Sequence, residues 1–261
     1  MRYLPLCFAL SLLVAVGCVD ADDPVGHDPH DTVRTDTNDR DTTTTDTTGT
    51  EAPDTVEIAA YRLTIHNEWS ESAYPANFPE GAHFSHLGGG THNASVSFWG
   101  FGEITSDGMQ EMAETGNVNI LVEQEIAAAI DAGAAWQGIY DTIYTPPLPA
   151  IAPGVRTRTL AMHRDYPLVT LATMLGPSPD WFVGVNGLSL WKDGEWVDSL
   201  SVDLPLYDGG SKQGMIPLMG GPDEDPRLPV GYVRYDRDLG QYVPTTSPQI
   251  VGRMVFVRVE K

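Results

Sequence analysis

The chain has 261 residues, of which 36 are Asp or Glu and 15 are Lys or Arg, so its formal net charge at pH 7 is −21. This acidity argues against a nucleic-acid partner, because phosphate binding requires a basic surface. The sequence contains two cysteines, Cys7 and Cys18, so the chain after residue 18 has no thiols to join in a disulfide.

Residues 1–18 have the features of a lipoprotein signal peptide. Arg2 provides a positive charge, and the apolar run Leu4–Val16 is shorter than the roughly 20 residues that a permanent membrane helix needs. The run ends in Ala15-Val16-Gly17-Cys18, which favours a lipid-attachment site at Cys18 over an ordinary signal peptide that ends near a cysteine. We therefore expect an exported protein that is anchored to the cell envelope by a lipid, with its domain facing the periplasm or the exterior.

Residues 19–55 are dominated by Asp and Thr and contain no aromatic residue. Such a segment buries too little apolar surface to offset the entropy lost on ordering, which predicts a disordered, solvated tether. The remaining residues, 56–261, have the usual length of one domain.

Alternation of apolar and polar residues predicts several β-strands in this domain, separated by loops rich in Gly and Pro. In the first of them, Tyr61, Leu63 and Ile65 share one face. The predicted strands are Val56–His66, Asn93–Trp99, Val197–Leu206 and Val251–Val259.

Two consecutive helices are predicted between the strands, over Asp107–Gly116 and Val118–Asp131. Ser106 can cap the first helix and Gly116 can end it, whereas Glu123 and Glu125 of the second are expected to face outward. Because helices and strands do not alternate along the chain, a parallel sheet is not expected. The fold class that follows is mainly β, an antiparallel β-sandwich with a short helical insertion.

The sequence contains no Gly-x-Ser-x-Gly elbow, no phosphate-binding loop and no His-Glu-x-x-His zinc helix, which favours a binding protein over an enzyme. A histidine-rich stretch around Gly88-Gly-Gly90 predicts a flexible loop. Its imidazoles suit zinc, but no nearby carboxylate completes a ligand set, so hydrogen bonds to backbone carbonyls are the role we expect. The candidate metal ligands of this stretch are His83, His86 and His92, and as a possible ligand-binding loop it offers His83, Ser85, His92 and Asn93.

Two aspartates stand at predicted turns: Asp180 after Gly176-Pro-Ser-Pro179, and Asp208 before two glycines. A carboxylate at such a position either accepts hydrogen bonds from backbone amides or, together with loop carbonyls, binds a hard cation such as calcium. The acidic run Asp223-Glu-Asp225 is interpreted as a solvated turn, with a second cation site as the alternative.

A series of motifs extends from Tyr61 to about Met215, and its most specific member is Gly176-Pro-Ser-Pro-Asp-Trp-Phe-Val-Gly184. Taken in order, the series resembles the spondin N-terminal domain family. The resemblance implies a β-sandwich similar to calcium-dependent membrane-binding modules, and a binding or adhesion role outside the cell. The other members of the series are Trp69-Ser70, Ala82-His-Phe-Ser85, Trp99, Trp196 and Asp208-Gly-Gly210.

The resemblance also implies a calcium site. In animal members of the family, aspartates that match Asp180 and Asp208 bind calcium together with a third aspartate four positions later, where this chain has Lys212. Either Lys212 points away and leaves the two aspartates with a weakened site, or its ammonium takes the place of the ion by pairing with both. We expect the second arrangement.

These observations predict a binding or adhesion module on the cell surface, with calcium as its candidate cofactor. Its expected partners are the membrane, through the lipid on Cys18, and an extracellular matrix, glycan or surface protein ligand. One alternative is an exported hydrolase that uses His83 or His92 together with Asp180, and another is a structural component of the envelope.

Overall fold

The chain folds into antiparallel sheets in the computed structural model, which describes residues 58–75, 77–146 and 152–259. The strands are β1 (Ile58–Asn67), β2 (His83–Phe84), β3 (Leu87–His92), β4 (Ala135–Asp141), β5 (Gly154–His163), β6 (Leu168–Gly176), β7 (Trp181–Ser189), β8 (Trp191–Lys192), β9 (Glu195–Trp196), β10 (Ser199–Pro205), β11 (Tyr207–Asp208), β12 (Gly231–Asp236), β13 (Gln241–Thr245) and β14 (Ile250–Arg258).

Two sheets form the layers of the domain. The smaller has four strands in the order β10-β14-β1-β5. The larger has eight strands, in the order β13-β12-β11-β7-β6-β3-β4 with β2 paired to β6, and β8 and β9 form a separate two-stranded sheet. The strand pairs are antiparallel.

The main core lies between these layers, because alternate residues of each strand turn inward. Tyr61, Leu63 and Ile65 of β1 belong to the same buried cluster as Leu171 of β6 and Trp181 of β7. Burying an aliphatic or aromatic side chain of this kind contributes about 1.5–3 kcal/mol. The predicted antiparallel β-sandwich is confirmed.

A second core lies between the larger sheet and the helical insertion. The helices are α1 (Asp107–Thr115), a π-helical segment (Ile120–Ile126) and α2 (Ala127–Asp131). Met109, Met112 and Leu121 from the insertion pack in one buried cluster with Met174 and Phe182 of the sheet. The opposite faces of β6 and β7 therefore contribute to different cores, which explains why both strands are apolar on both sides.

Helix α1 begins after Ser106 and ends at Gly116, as predicted from these two capping residues. The hydroxyl of Ser106 accepts a hydrogen bond from the Met109 amide at 3.2 Å, and Gly116 ends the helix with φ 75°. The outward orientation expected for Glu125 is wrong. Its carboxylate instead accepts hydrogen bonds of 2.7 Å from the Ser106 hydroxyl and from the Gly108 amide, and so joins the two helices.

Three of the four predicted strands are confirmed as β1, β10 and β14. The fourth, Asn93–Trp99, is wrong, because this stretch is a turn and loop. The Asn93 side chain accepts hydrogen bonds from the amide and the hydroxyl of Ser95, at 2.9 and 2.5 Å. This local turn competes successfully with the alternating pattern that predicted a strand.

The flexible loop predicted around Gly88-Gly-Gly90 is also wrong, since these glycines lie within the buried strand β3. A Cβ atom on Gly88 would lie 2.7 Å from the side chain of Val118, and one on Gly89 would lie 2.0 Å from the carbonyl oxygen of Thr170. The glycines therefore allow the helical insertion and β6 to approach the strand closely.

The predicted signal peptide, Cys18 and the tether of residues 19–55 lie outside the described residues, and the domain start at residue 56 stays a prediction. Within the described ranges, no helix is both long enough and apolar enough to cross a bilayer.

Candidate functional site

Asp180 lies at the start of β7 and is fully buried. One of its carboxylate oxygens, Oδ2, accepts hydrogen bonds from the Ser211 amide at 2.7 Å, the Lys212 amide at 2.9 Å and the Ser211 hydroxyl at 3.2 Å. The other oxygen, Oδ1, is buried and has no hydrogen-bond partner among the described residues. Asp180 thus holds the chain that follows β11 through two backbone amides.

Asp208 lies beside Asp180 because β11 pairs with β7, with Asp208 opposite Trp181. Its carboxylate accepts a hydrogen bond of 2.8 Å from the amide of Gly210 and so closes a tight turn. Gly210 has φ 71°, and a Cβ atom there would lie 2.0 Å from the carbonyl oxygen of Leu228. The turn that follows Asp208 consequently requires glycine.

The two carboxyl groups share one poorly solvated environment. Burial, reinforced by the charge of Asp180, raises the pKa of Asp208 to about 7. Burial also raises the pKa of Asp180, although hydrogen bonds from the Lys212 and Ser211 amides oppose the increase. Binding of a proton or a cation to such a pair is favourable, because it relieves the repulsion between two poorly solvated carboxylates.

Lys212 does not pair with the two aspartates, so the arrangement that we expected from the sequence is wrong. Its ammonium binds the carboxylate of Asp223 and lies 3.4 Å from that of Glu114 in α1. The hydrogen bond to Asp223 is the main cause of the raised pKa of Lys212. Lys212 reaches Asp180 through its backbone amide alone.

These contacts define a hairpin, residues 211–224, whose arms are joined by backbone hydrogen bonds. The amide of Gln213 donates to Pro222 and the amide of Glu224 donates to Ser211, both at 2.9 Å. The Lys212 ammonium lies between this hairpin and α1, where it neutralises one carboxylate from each. Asp223 is therefore an ion-pair partner rather than part of a purely solvated turn.

Glu114 and Asp223 were not predicted as partners of Lys212. The only signals were the acidic run at 223–225 and the position of Glu114 at the end of a predicted helix. Neither signal shows that the hairpin and α1 meet, because that contact depends on the three-dimensional fold.

The residues of this site do not form a complete calcium site. Calcium usually takes six to eight oxygen ligands, and the described part of the chain contains no group of three or more Asp, Glu, His or Cys side chains arranged to hold a metal. Two features of the described residues nevertheless favour a cation, namely the repulsion between the two carboxylates and the unpartnered Oδ1 of Asp180. Calcium binding at Asp180 and Asp208 stays a prediction.

The predicted ligand-binding loop is divided between separate environments. His92 is 1% exposed, and its two ring nitrogens bond the Asn93 carbonyl and the Thr170 hydroxyl, each at 2.8 Å. Ser85 is buried, and its hydroxyl accepts a hydrogen bond from the Met174 amide. Both side chains therefore satisfy backbone and strand groups within the fold.

His83 and His86 lie elsewhere, and the rings of both contact Tyr144. The His86 ring stacks on Tyr144 at 5.0 Å between centroids, and Nδ1 of His83 is 2.6 Å from the carbonyl oxygen of Gly81. No hydrogen bond or ion pair joins His83 or His92 to Asp180 among the described residues. The arrangement expected for a hydrolase is thus not assembled.

Comparison with known proteins places this site within a recognised domain. Residues 59–227 match the family Spondin_N. Over 160 residues, the chain is 33% identical to spondin-2 of Homo sapiens, covering 60% of this chain and 47% of that protein. Over 165 residues it is 33% identical to spondin-1 of Gallus gallus, covering 60% of this chain and 20% of that protein. The chain therefore spans less than half the length of either relative.

Proposed function

Because the chain belongs to the spondin N-terminal domain family, we propose that it is an exported binding module that attaches a cell to an external surface. The observation that carries this proposal is the extent of the family match, residues 59–227, which includes β1–β11, the helical insertion and both aspartates. Binding rather than catalysis is further supported by the histidines, which are engaged in hydrogen bonds and ring stacking within the fold.

We also propose that attachment does not require calcium. The ammonium of Lys212 lies between Glu114 and Asp223, so it supplies a positive charge between the hairpin and α1. Adding calcium nearby would place two cations close together, which is unfavourable where solvent screening is weak. Asp180 then acts as an acceptor that holds the hairpin, and Asp208 as an acceptor that closes the turn before it.

The experiment compares cells that carry the full chain with cells that carry only residues 1–55. Cells with the full chain are expected to attach to wells coated with matrix protein or polysaccharide, in buffer with calcium and in buffer with a chelator. Cells that lack the domain are expected not to attach. Equal attachment by both strains would contradict the binding proposal, whereas attachment that the chelator abolishes would contradict calcium independence alone.

The role of a structural envelope component predicts a different result in the same strains. Loss of the domain would then make the envelope more sensitive to detergent and leave attachment unchanged. Detergent sensitivity is therefore measured alongside attachment.

A further inference from the structure

A cleft of about 400 Å³ lies where the edge strand β10 of the smaller sheet approaches β7 of the larger one. Its apolar wall includes Trp99, Phe101 and Tyr207, and its polar groups are Asn186 and Asp203. A concave site with aromatic walls and a few polar groups is the usual form of a small-molecule site in proteins.

The aromatic wall combines a buried ring, Trp99, with an exposed ring, Phe101. Trp99 is 5% exposed and packs edge-on against Tyr207, with the ring centroids 5.1 Å apart. Phe101 is 56% exposed and stacks on Tyr232, with the ring centroids 4.4 Å apart. The exposed Phe101 ring is thus held in place by a second ring. This lowers the side-chain entropy that Phe101 would lose when a ligand binds against it.

Three polar groups of the cleft lack partners within the described residues. The indole N–H of Trp99 is buried and donates to no acceptor. The carboxylate of Asp203 accepts no hydrogen bond, and the amide nitrogen of Asn186 donates none, although the Asn186 oxygen accepts one from Thr170 at 3.2 Å. The Trp99 donor is buried, and a buried donor without an acceptor costs about 1–3 kcal/mol, whereas Asn186 and Asp203 are exposed, so a ligand would exchange water for its own groups there.

The combination of groups restricts the chemistry of the ligand. Two unpaired donors and one unpaired carboxylate call for a molecule that both accepts and donates hydrogen bonds, as adjacent hydroxyl groups do. The aromatic wall calls for an apolar face as well. No Lys or Arg lines the cleft and Asp203 repels anions, so sulfate, phosphate and carboxylate groups are disfavoured. An amine would satisfy Asp203 but would leave the donors of Trp99 and Asn186 unpaired.

We propose that this cleft binds a neutral hexose unit of a polysaccharide, with the apolar face of the sugar ring against Phe101 and its hydroxyl groups toward Trp99, Asn186 and Asp203. This inference rests on the proposed binding function, for which it names the ligand class and the surface. Among the described residues, no hydrogen bond or ion pair joins Asn186 or Asp203 to Asp180 or Asp208, so the two sites can be tested separately.

The test applies the purified full chain to an array of immobilised neutral, sialylated and sulfated oligosaccharides. Binding to neutral hexose-containing oligosaccharides is the expected result. The Kd for the best of these is then compared among the wild type, Phe101→Ala and Asp203→Asn, and each substitution is expected to weaken binding at least about tenfold. Ile104→Ala is the matched control, because Ile104 is 52% exposed on the same loop but does not line the cleft.

Three results would overturn the proposal: no binding to neutral oligosaccharides, a preference for sulfated or sialylated ones, or equal affinity of the wild type and both cleft variants. Thermal melting of each variant confirms that it is folded, which is expected because Phe101 and Asp203 are exposed. Cell attachment distinguishes the two proposals. If cells that carry the cleft variants still attach, the proposal of a binding module stands and only the proposal of the sugar site is contradicted.

Discussion

Asp208 is a half-buried carboxyl group that the fold places beside a second, fully buried one. Burial and the charge of Asp180 raise its pKa to about 7, well above the value in an unfolded chain. Between pH 4 and pH 7, roughly, the folded protein therefore binds more protons than the unfolded protein does. The free energy of unfolding falls as the pH rises through this window and becomes level above it.

We predict that Asp208→Asn removes much of this fall. As the pH rises from 5 to 8, the free energy of unfolding of the variant therefore increases relative to that of the wild type, by on the order of a few kcal/mol at most. Urea denaturation at the two pH values measures the difference. The control is Asp193→Asn, which changes an exposed carboxyl group on the turn between β8 and β9. Parallel pH profiles for the wild type and Asp208→Asn would contradict the prediction.

The contacts of Lys212 lead to a second prediction at the scale of single residues. Replacing it with Asp places a third carboxylate near Asp180 and Asp208 and leaves Glu114 and Asp223 without their cation. We expect Lys212→Asp to melt several degrees below the wild type in chelator, since about 1 kcal/mol shifts Tm by 2–4 °C in a domain of this size. Calcium is expected to restore the loss.

The control for this experiment is Lys212→Met, which removes the ammonium without adding a carboxylate. Because Asp223 is largely exposed, losing its ion pair with Lys212 costs less than about 1 kcal/mol, and losing the more buried pair with Glu114 adds to this cost. No response to calcium is expected from this variant or from the wild type. A wild type that calcium stabilises as strongly as it stabilises Lys212→Asp would show that Lys212 does not hinder the ion.

At the scale of elements, β3 depends on residues without side chains. We predict that Gly89→Ala destabilises the protein by more than about 3 kcal/mol or prevents folding, because its Cβ would lie 2.0 Å from a backbone oxygen that cannot move independently. Gly231→Ala is the control, since the nearest atom to its Cβ would lie 3.9 Å away. Urea denaturation compares the two, and equal midpoints would contradict the role assigned to Gly89.

The elements also show where sequence patterns succeed. Helix α1 was predictable because its capping residue and its terminal glycine act within a few residues of the chain. Strands β1, β10 and β14 were predictable because each has one buried face. Strand β3 was not, because the reason for its glycines is the approach of Val118 and Thr170, which are distant in the sequence.

The candidate site likewise depends on contacts between residues that are distant in the sequence. Asp180 and Asp208 were associated only through the resemblance to a family, because their proximity comes from the pairing of β7 with β11. The partners of Lys212 depend on how the 211–224 hairpin meets α1. No local pattern describes that contact, which is why the expected pairing with the aspartates was wrong.

At the scale of the whole molecule, the proposed attachment depends on both the domain and the anchor. We predict that Cys18→Ala moves the chain from the membrane fraction to the soluble fraction of the cell or to the medium, because one lipid-modified residue is the only anchor that we propose. Cys7→Ala is the control, since this cysteine lies inside the predicted signal peptide. Immunoblotting of the fractions measures the result, and membrane retention of Cys18→Ala would contradict lipid attachment there.

The ammonium that lies between Glu114 and Asp223 has one further consequence, which concerns the surroundings of the cell. A bound metal stabilises a protein only in proportion to its free concentration relative to its Kd. A cation that belongs to the chain is present once in every molecule, whatever the medium contains. The positive charge at the hairpin would therefore not depend on which metal ions the medium supplies, and neither dilution nor a chelating organic acid would remove it.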